Sequence, residues 1–159
     1  MTKLLRWRIF LPEGKVNSII WWRFSIFVVL STIIVYYYFP ELLFKVVIED
    51  PMLWIVILFI YTLFSVLPQE WLYRYVYVRR YGHMLPKGIP GTLLNGLIFS
   101  LAHLLFWNHF VLLLTFIGGC LFYHTYLTTR SLFQASLEHT LYGLWLFTLG
   151  IGDMLAFPG

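Results

Sequence analysis

Runs of apolar residues long enough to cross a lipid bilayer recur through this chain, and they restrict it to one broad class of fold. A transmembrane helix needs about 20 consecutive apolar residues. In lipid every backbone N–H and C=O must be satisfied internally, so spanning segments are helices or closed barrels. Hydrophobic residues make up 60% of the 159 positions and charged ones only 11%, against about 25% charged in soluble domains. The expected fold is all-α: a polytopic transmembrane helical bundle of about five spans, filling one domain with no room for a soluble one.

The first run extends over 17–39, with Trp21, Trp22 and Arg23 at one end and Tyr36, Tyr37 and Tyr38 at the other, the aromatic belts expected at two interfaces. The second begins at Pro51 and reaches Arg79 and Arg80. At about 28 residues it is ~42 Å of helix, more than a ~30 Å hydrocarbon core. It must therefore tilt steeply or kink at Pro68, whose nitrogen carries no hydrogen. Gly and Pro crowd residues 81–91 into a loop. The remaining runs cover 92–106, 110–128 and 132–151, joined by a turn at Trp107-Asn108-His109 and another at Thr128-Thr129-Arg130.

Charge orients the bundle. Residues 1–16 hold Lys3, Arg6, Arg8 and Lys15 against Glu13, whereas 40–50 hold Glu41, Glu49 and Asp50 against Lys45. Positive-inside then puts the N-terminus in the cytoplasm, with the basic 81–91 loop on the same side. We read 1–16 as an interfacial arm and 17–159 as the single transmembrane domain. The arm is expected to be retained, because the apolar run after it is too long for a signal-peptide core and has no small-residue cleavage site. The net charge of +4 is spread over loops and helix ends, so no nucleic-acid surface is expected. Cys120 is the only cysteine, which excludes a disulfide within the chain and marks it as a packing residue.

Within this apolar background Glu70 and Arg74 stand four residues apart. An ionisable group at bilayer depth costs at least about 2.5–3.5 kcal/mol, and such groups are buried, paired and functional. Counting inward from Arg79, Pro90 and Arg130 at ~1.5 Å per residue puts Glu70, His103 and His139 at depths of ~14, ~20 and ~14 Å, near the middle of a ~30 Å core. A carboxylate and two imidazoles at one depth suggest hydrolysis. The plainer readings are a neutralising i, i+4 pair and histidines that bridge helices. His83, His109 and His124 fall at helix ends or loops. Glu138 points about 100° away from His139 around its helix. Asn95, Phe99 and His103 share one helix face.

Three motifs carry a resemblance. Gln69-Glu70-x-x-x-Arg74, Phe99-x-x-x-His103, and His139 four residues before Gly143 resemble the signature of the CAAX protease and bacteriocin-processing (Abi) family of intramembrane glutamic endopeptidases, over 66–149. The resemblance implies an intramembrane endopeptidase that hydrolyses a peptide bond of a membrane-associated protein or peptide. In that reading Glu70 and His103 activate water, Arg74 pairs with Glu70, and His139 helps stabilise the oxyanion. No cofactor and no metal are implied. The chain departs from the family pattern at Gln69, where the first motif acid stands, and at Gly143, where an Asn adds a second oxyanion donor. Gln69 cannot act as a base, so activity rests on Glu70, or on Glu138 if the geometry allows, with Asn95 a candidate for the missing amide. A degenerate member that binds a peptide or partner, as in bacteriocin immunity, is the alternative. A metal-dependent intramembrane hydrolase is a further one, since two His and a Glu can hold a catalytic zinc. The expected location is a cell membrane, the bacterial cytoplasmic membrane in view of the chain's size.

Overall fold

The computed structural model describes residues 17–152; the arm at 1–16 and Asp153 fall outside the described residues. Helix α1 spans Ser18–Tyr38. The Asn17 side chain caps it by accepting from the Ile19 N–H at 3.1 Å, as Asn does at helix starts. Its far end stops at Phe39, just before Pro40. A single tight turn and a short helix, α2 (Lys45–Glu49), lead to Asp50. The Asp50 carboxylate accepts from the Leu53 N–H at 2.9 Å, and Pro51 fills the first helical position, where a missing N–H costs nothing.

Helix α3 then runs from Pro51 to Tyr81 without a break. Pro68 does not end it. Two widened turns, Tyr61–Val66 and Trp71–Val76, flank the α-helical Leu67–Glu70. In the first of these the Leu67 N–H bonds to the Thr62 carbonyl, five residues back. Such π-turns absorb an extra residue and frequently accompany functional sites. They also re-aim the side chains that follow, Glu70 and Arg74 among them.

Helices α4 (Ile89–Leu101), α5 (His109–Thr129) and α6 (Leu132–Thr148) complete the bundle. By length and composition α1, α3 and α5 are apolar enough to cross a membrane; α4 and α6 are shorter. The third expected span thus ends at Leu101 rather than residue 106. The Asn108 side chain caps α5 by accepting from the Phe110 N–H at 2.8 Å, and Trp107 adopts a left-handed φ of 49°, so the chain reverses over residues 102–108. His103 lies in that reversal and not within the helix. The fifth stops at Thr148, close to Gly150 with its φ of 89°, a conformation that favours glycine.

Helices α4 and α5 meet through small residues. A Cβ on Gly96 would overlap the Cys120 sulfur and come within 2.9 Å of the Phe116 carbonyl oxygen, and one on Gly119 would lie 3.0 Å from the Gly96 Cα. Close backbone approach of this kind is what holds helices together in lipid, where apolar burial drives nothing. Polar side chains join the rest: Trp145 Nε1 donates to Ser31 Oγ at 3.0 Å and Trp54 Nε1 to Thr148 Oγ1 at 3.1 Å. The outer faces of α1 and α3 expose Val29, Ile33, Phe59 and Phe64, as lipid contact requires. Gly96→Ala is expected to destabilise the bundle by about 1–3 kcal/mol through overpacking, measured by denaturant unfolding in micelles. Gly118→Ala should cost less, because its Cβ meets only the movable Phe122 ring at 3.1 Å.

Candidate active site

Glu70 is fully buried and its two oxygens face different partners. Oε2 lies 3.1 Å from Arg74 Nε, across the second widened turn of α3, a close ion contact without the alignment of a hydrogen bond. Oε1 lies 2.9 Å from Nδ1 of His139 on α6. A carboxylate accepts, so the imidazole is assigned as the Nδ1–H tautomer and its Nε2 is left free.

Arg74, also fully buried, is fastened from the other side. Its Nη1 donates to Asn95 Oδ1 at 2.9 Å, and Asn95 Nδ2 donates to the Tyr73 carbonyl at 3.0 Å. The guanidinium carbon stands 4.7 Å from the Phe99 ring centroid, within cation–π range. Phe122 stacks on the His139 ring at 4.5 Å and 15°. Three helices, α3, α4 and α6, therefore converge on one carboxylate.

The opening beside this cluster is a cavity of about 640 Å³ whose walls include Gln69, His103, His139, Tyr61, Gly143 and Arg23. Glu70 and Arg74 are not among its lining residues; Glu70 reaches it only through His139. Gln69, the neighbour of Glu70, does line it, with Nε2 donating to Ser65 Oγ at 3.0 Å and a buried Oε1 that has no partner among the described residues. His103 enters from the reversal after α4. Its Nδ1 lies 2.8 Å from the Phe99 carbonyl, which can only accept, so here too Nε2 is the free nitrogen. Phe99 packs against both imidazoles, at 4.9 Å from His103 and 5.6 Å from His139.

The other expected residues sit apart. Both ends of the Asn95 amide are committed to Arg74 and Tyr73, so it braces the arginine and offers nothing to the cavity. Glu138 is buried between helices, accepting from the Thr125 hydroxyl at 2.5 Å and lying 3.7 Å from Arg23 on α1. His83, His109 and His124 are exposed. Among the described residues no three His, Cys, Asp or Glu side chains converge as metal ligands would. Tyr61 and Arg23 line the cavity without having drawn notice in the sequence. Arg23 was read as part of an aromatic belt, and nothing in the spacing of Tyr61 marks it.

A helical membrane bundle with a buried carboxylate–imidazole pair beside an apolar cavity defines a class of membrane-embedded proteins built around polar chemistry in lipid. A family model described as type II CAAX prenyl endopeptidase Rce1-like matches residues 51–145, about three fifths of the chain, from the start of α3 into α6. The chain belongs to this family of membrane proteases, which bears out the resemblance carried by the three motifs. Comparison with curated proteins and with solved structures found no match.

Removing one member of a buried ion pair strands the other charge and costs about 3–5 kcal/mol. Arg74→Met should destabilise the protein by that order in micelle unfolding, and Glu70→Gln added to it should recover a substantial part. Additive losses would mean that the 3.1 Å contact carries no coupling.

Proposed function

We propose that this protein is an intramembrane endopeptidase that cleaves a membrane-associated peptide or protein within the cavity, with the Glu70–His139 pair and His103 activating the water. The observation that carries this reading is the 2.9 Å contact between Glu70 Oε1 and His139 Nδ1. A buried carboxylate that holds an imidazole in one tautomer and steadies the imidazolium is the arrangement that makes histidine an effective general base. His139 Nε2 takes a proton from water, the new hydroxide attacks the peptide carbonyl carbon, and the proton returns to the leaving nitrogen as the C–N bond breaks. His103 Nε2 accepts the water's second hydrogen and orients its oxygen. Glu70 acts through His139 and is a positioning residue. This assigns His139 the base and not the oxyanion donor, because the neutral ring has no hydrogen on Nε2.

A second reading has its own observation. Of the two adjacent positions in the first motif, the one that lines the cavity carries an amide, Gln69, and no carboxylate is among the lining residues. An amide where the motif has an acid cannot act as a base, which fits a family member that binds without cutting.

Cleavage of a membrane-peptide library by the purified protein in lipid separates the two. For the endopeptidase, His139→Ala and His103→Ala should each lower kcat by about 10²–10⁴-fold. Glu70→Gln should lower kcat with little change in KM, and Glu70→Asp should restore part of it. A folded wild type that binds peptides without cutting them, while Gln69→Glu cuts, would establish the binding reading. Inhibition by a chelator would instead demand a metal.

A further inference from the structure

Position 143 is one turn beyond His139 on the same face of α6, and the space that a side chain there would take is already filled. A Cβ built there would overlap the hydroxyl oxygen and two ring carbons of Tyr61. The phenol of α3 thus fills the volume that a side chain at 143 would occupy, in the cavity wall beside His139. Its ring is held edge-on by Phe147 at 5.1 Å and by His139 at 6.1 Å. The hydroxyl makes no hydrogen bond among the described residues. Tyr61 also opens the first widened turn of α3, so the irregularity in the helix starts at the residue that reaches into the site.

We propose that Tyr61 is the oxyanion donor of this site, its O–H directed at the oxygen of the peptide carbonyl under attack. A phenol keeps its proton at neutral pH and is a donor, and tyrosine is one of the side chains that serve in oxyanion holes. Neither neutral imidazole offers an N–H at Nε2, and Asn95 is not among the residues that line the cavity. The Tyr61 phenol is a free O–H whose ring packs directly on the base and on Gly143, one turn along α6. As water's oxygen bonds to the carbonyl carbon and its proton passes to His139, the carbonyl electron pair moves onto oxygen and accepts the Tyr61 hydrogen bond. When the C–N bond breaks, that pair re-forms the C=O and His139 protonates the nitrogen. Tyr61 neither gains nor loses a proton. Gly143 is the small residue that lets it stand there.

This assignment rests on the hydrolytic reading, and its test uses a probe that does not depend on turnover. Binding of a phosphonate peptide, a tetrahedral anion, is compared with that of the matched amide peptide, alongside kcat and KM, for wild type, Tyr61→Phe and Gly143→Ala in lipid. Tyr61→Phe should lower kcat by about 10²-fold or more with KM nearly unchanged. It should cost phosphonate affinity a similar factor while leaving amide binding intact. Gly143→Ala should do the same by displacing the ring. Equal phosphonate affinity in wild type and Tyr61→Phe would overturn the donor role, whatever the cleavage result. A wild type that never cleaves yet prefers the phosphonate through Tyr61 would fell the hydrolytic reading and uphold the donor.

Discussion

The carboxylate of Glu70 is the charge around which the bundle has to be built. Taking an ion out of water costs several kcal/mol even after relaxation, and in lipid no solvent can relieve it. Arg74 on one oxygen and His139 on the other offset that cost, and Arg74 in turn needs Asn95 and the Phe99 ring. These partners come from three helices, so satisfying one charge brings α3, α4 and α6 into register. The apolar residues supply the volume of the bundle. The ion cluster supplies its specificity, because sliding any one of the three helices would leave a buried charge or amide unpaired.

The same cluster decides which groups can do chemistry. Glu70 is not among the residues that line the cavity, and in the proposed reading its influence is passed on through the imidazole it contacts. Gln69 occupies the wall that its neighbour does not, with an amide in place of a charge. At Gly143 the missing side chain is matched by a phenol from α3. The two departures from the family motifs thus have different characters. The first changes the chemistry of the cavity wall, while at the second a ring from the facing helix fills the space that a side chain would take.

Much of the architecture could be read from residue order because its causes are local. Apolar runs and the Gly- and Pro-rich breaks between them act within a few residues of themselves. The places where the structure differs are those where distant contacts or backbone adjustments intervene. The second span was expected to tilt steeply or to kink at Pro68; the helix runs on through Pro68 with a widened turn on either side. His103 was counted as a residue of a continuous third span. It lies beyond the helix end, because the cap and reversal at Trp107 and Asn108 take up the residues that would have prolonged it. It still reaches the cavity, since Phe99 and its carbonyl hold the ring from one turn back.

By itself the sequence determined the class, the number and order of the main helices, and the need of Glu70, Arg74 and His139 for polar partners. An apolar chain in lipid has few other ways to dispose of such groups. Tertiary structure alone decided which of them meets the cavity. Whether Glu70 or Gln69 lines it depends on the rotation of α3, which two extra-wide turns set and no residue spacing records. The pairing of Tyr61 with Gly143 is likewise invisible in one dimension: a glycine 82 residues away becomes meaningful only when two helices come close enough for a ring to use the space it leaves.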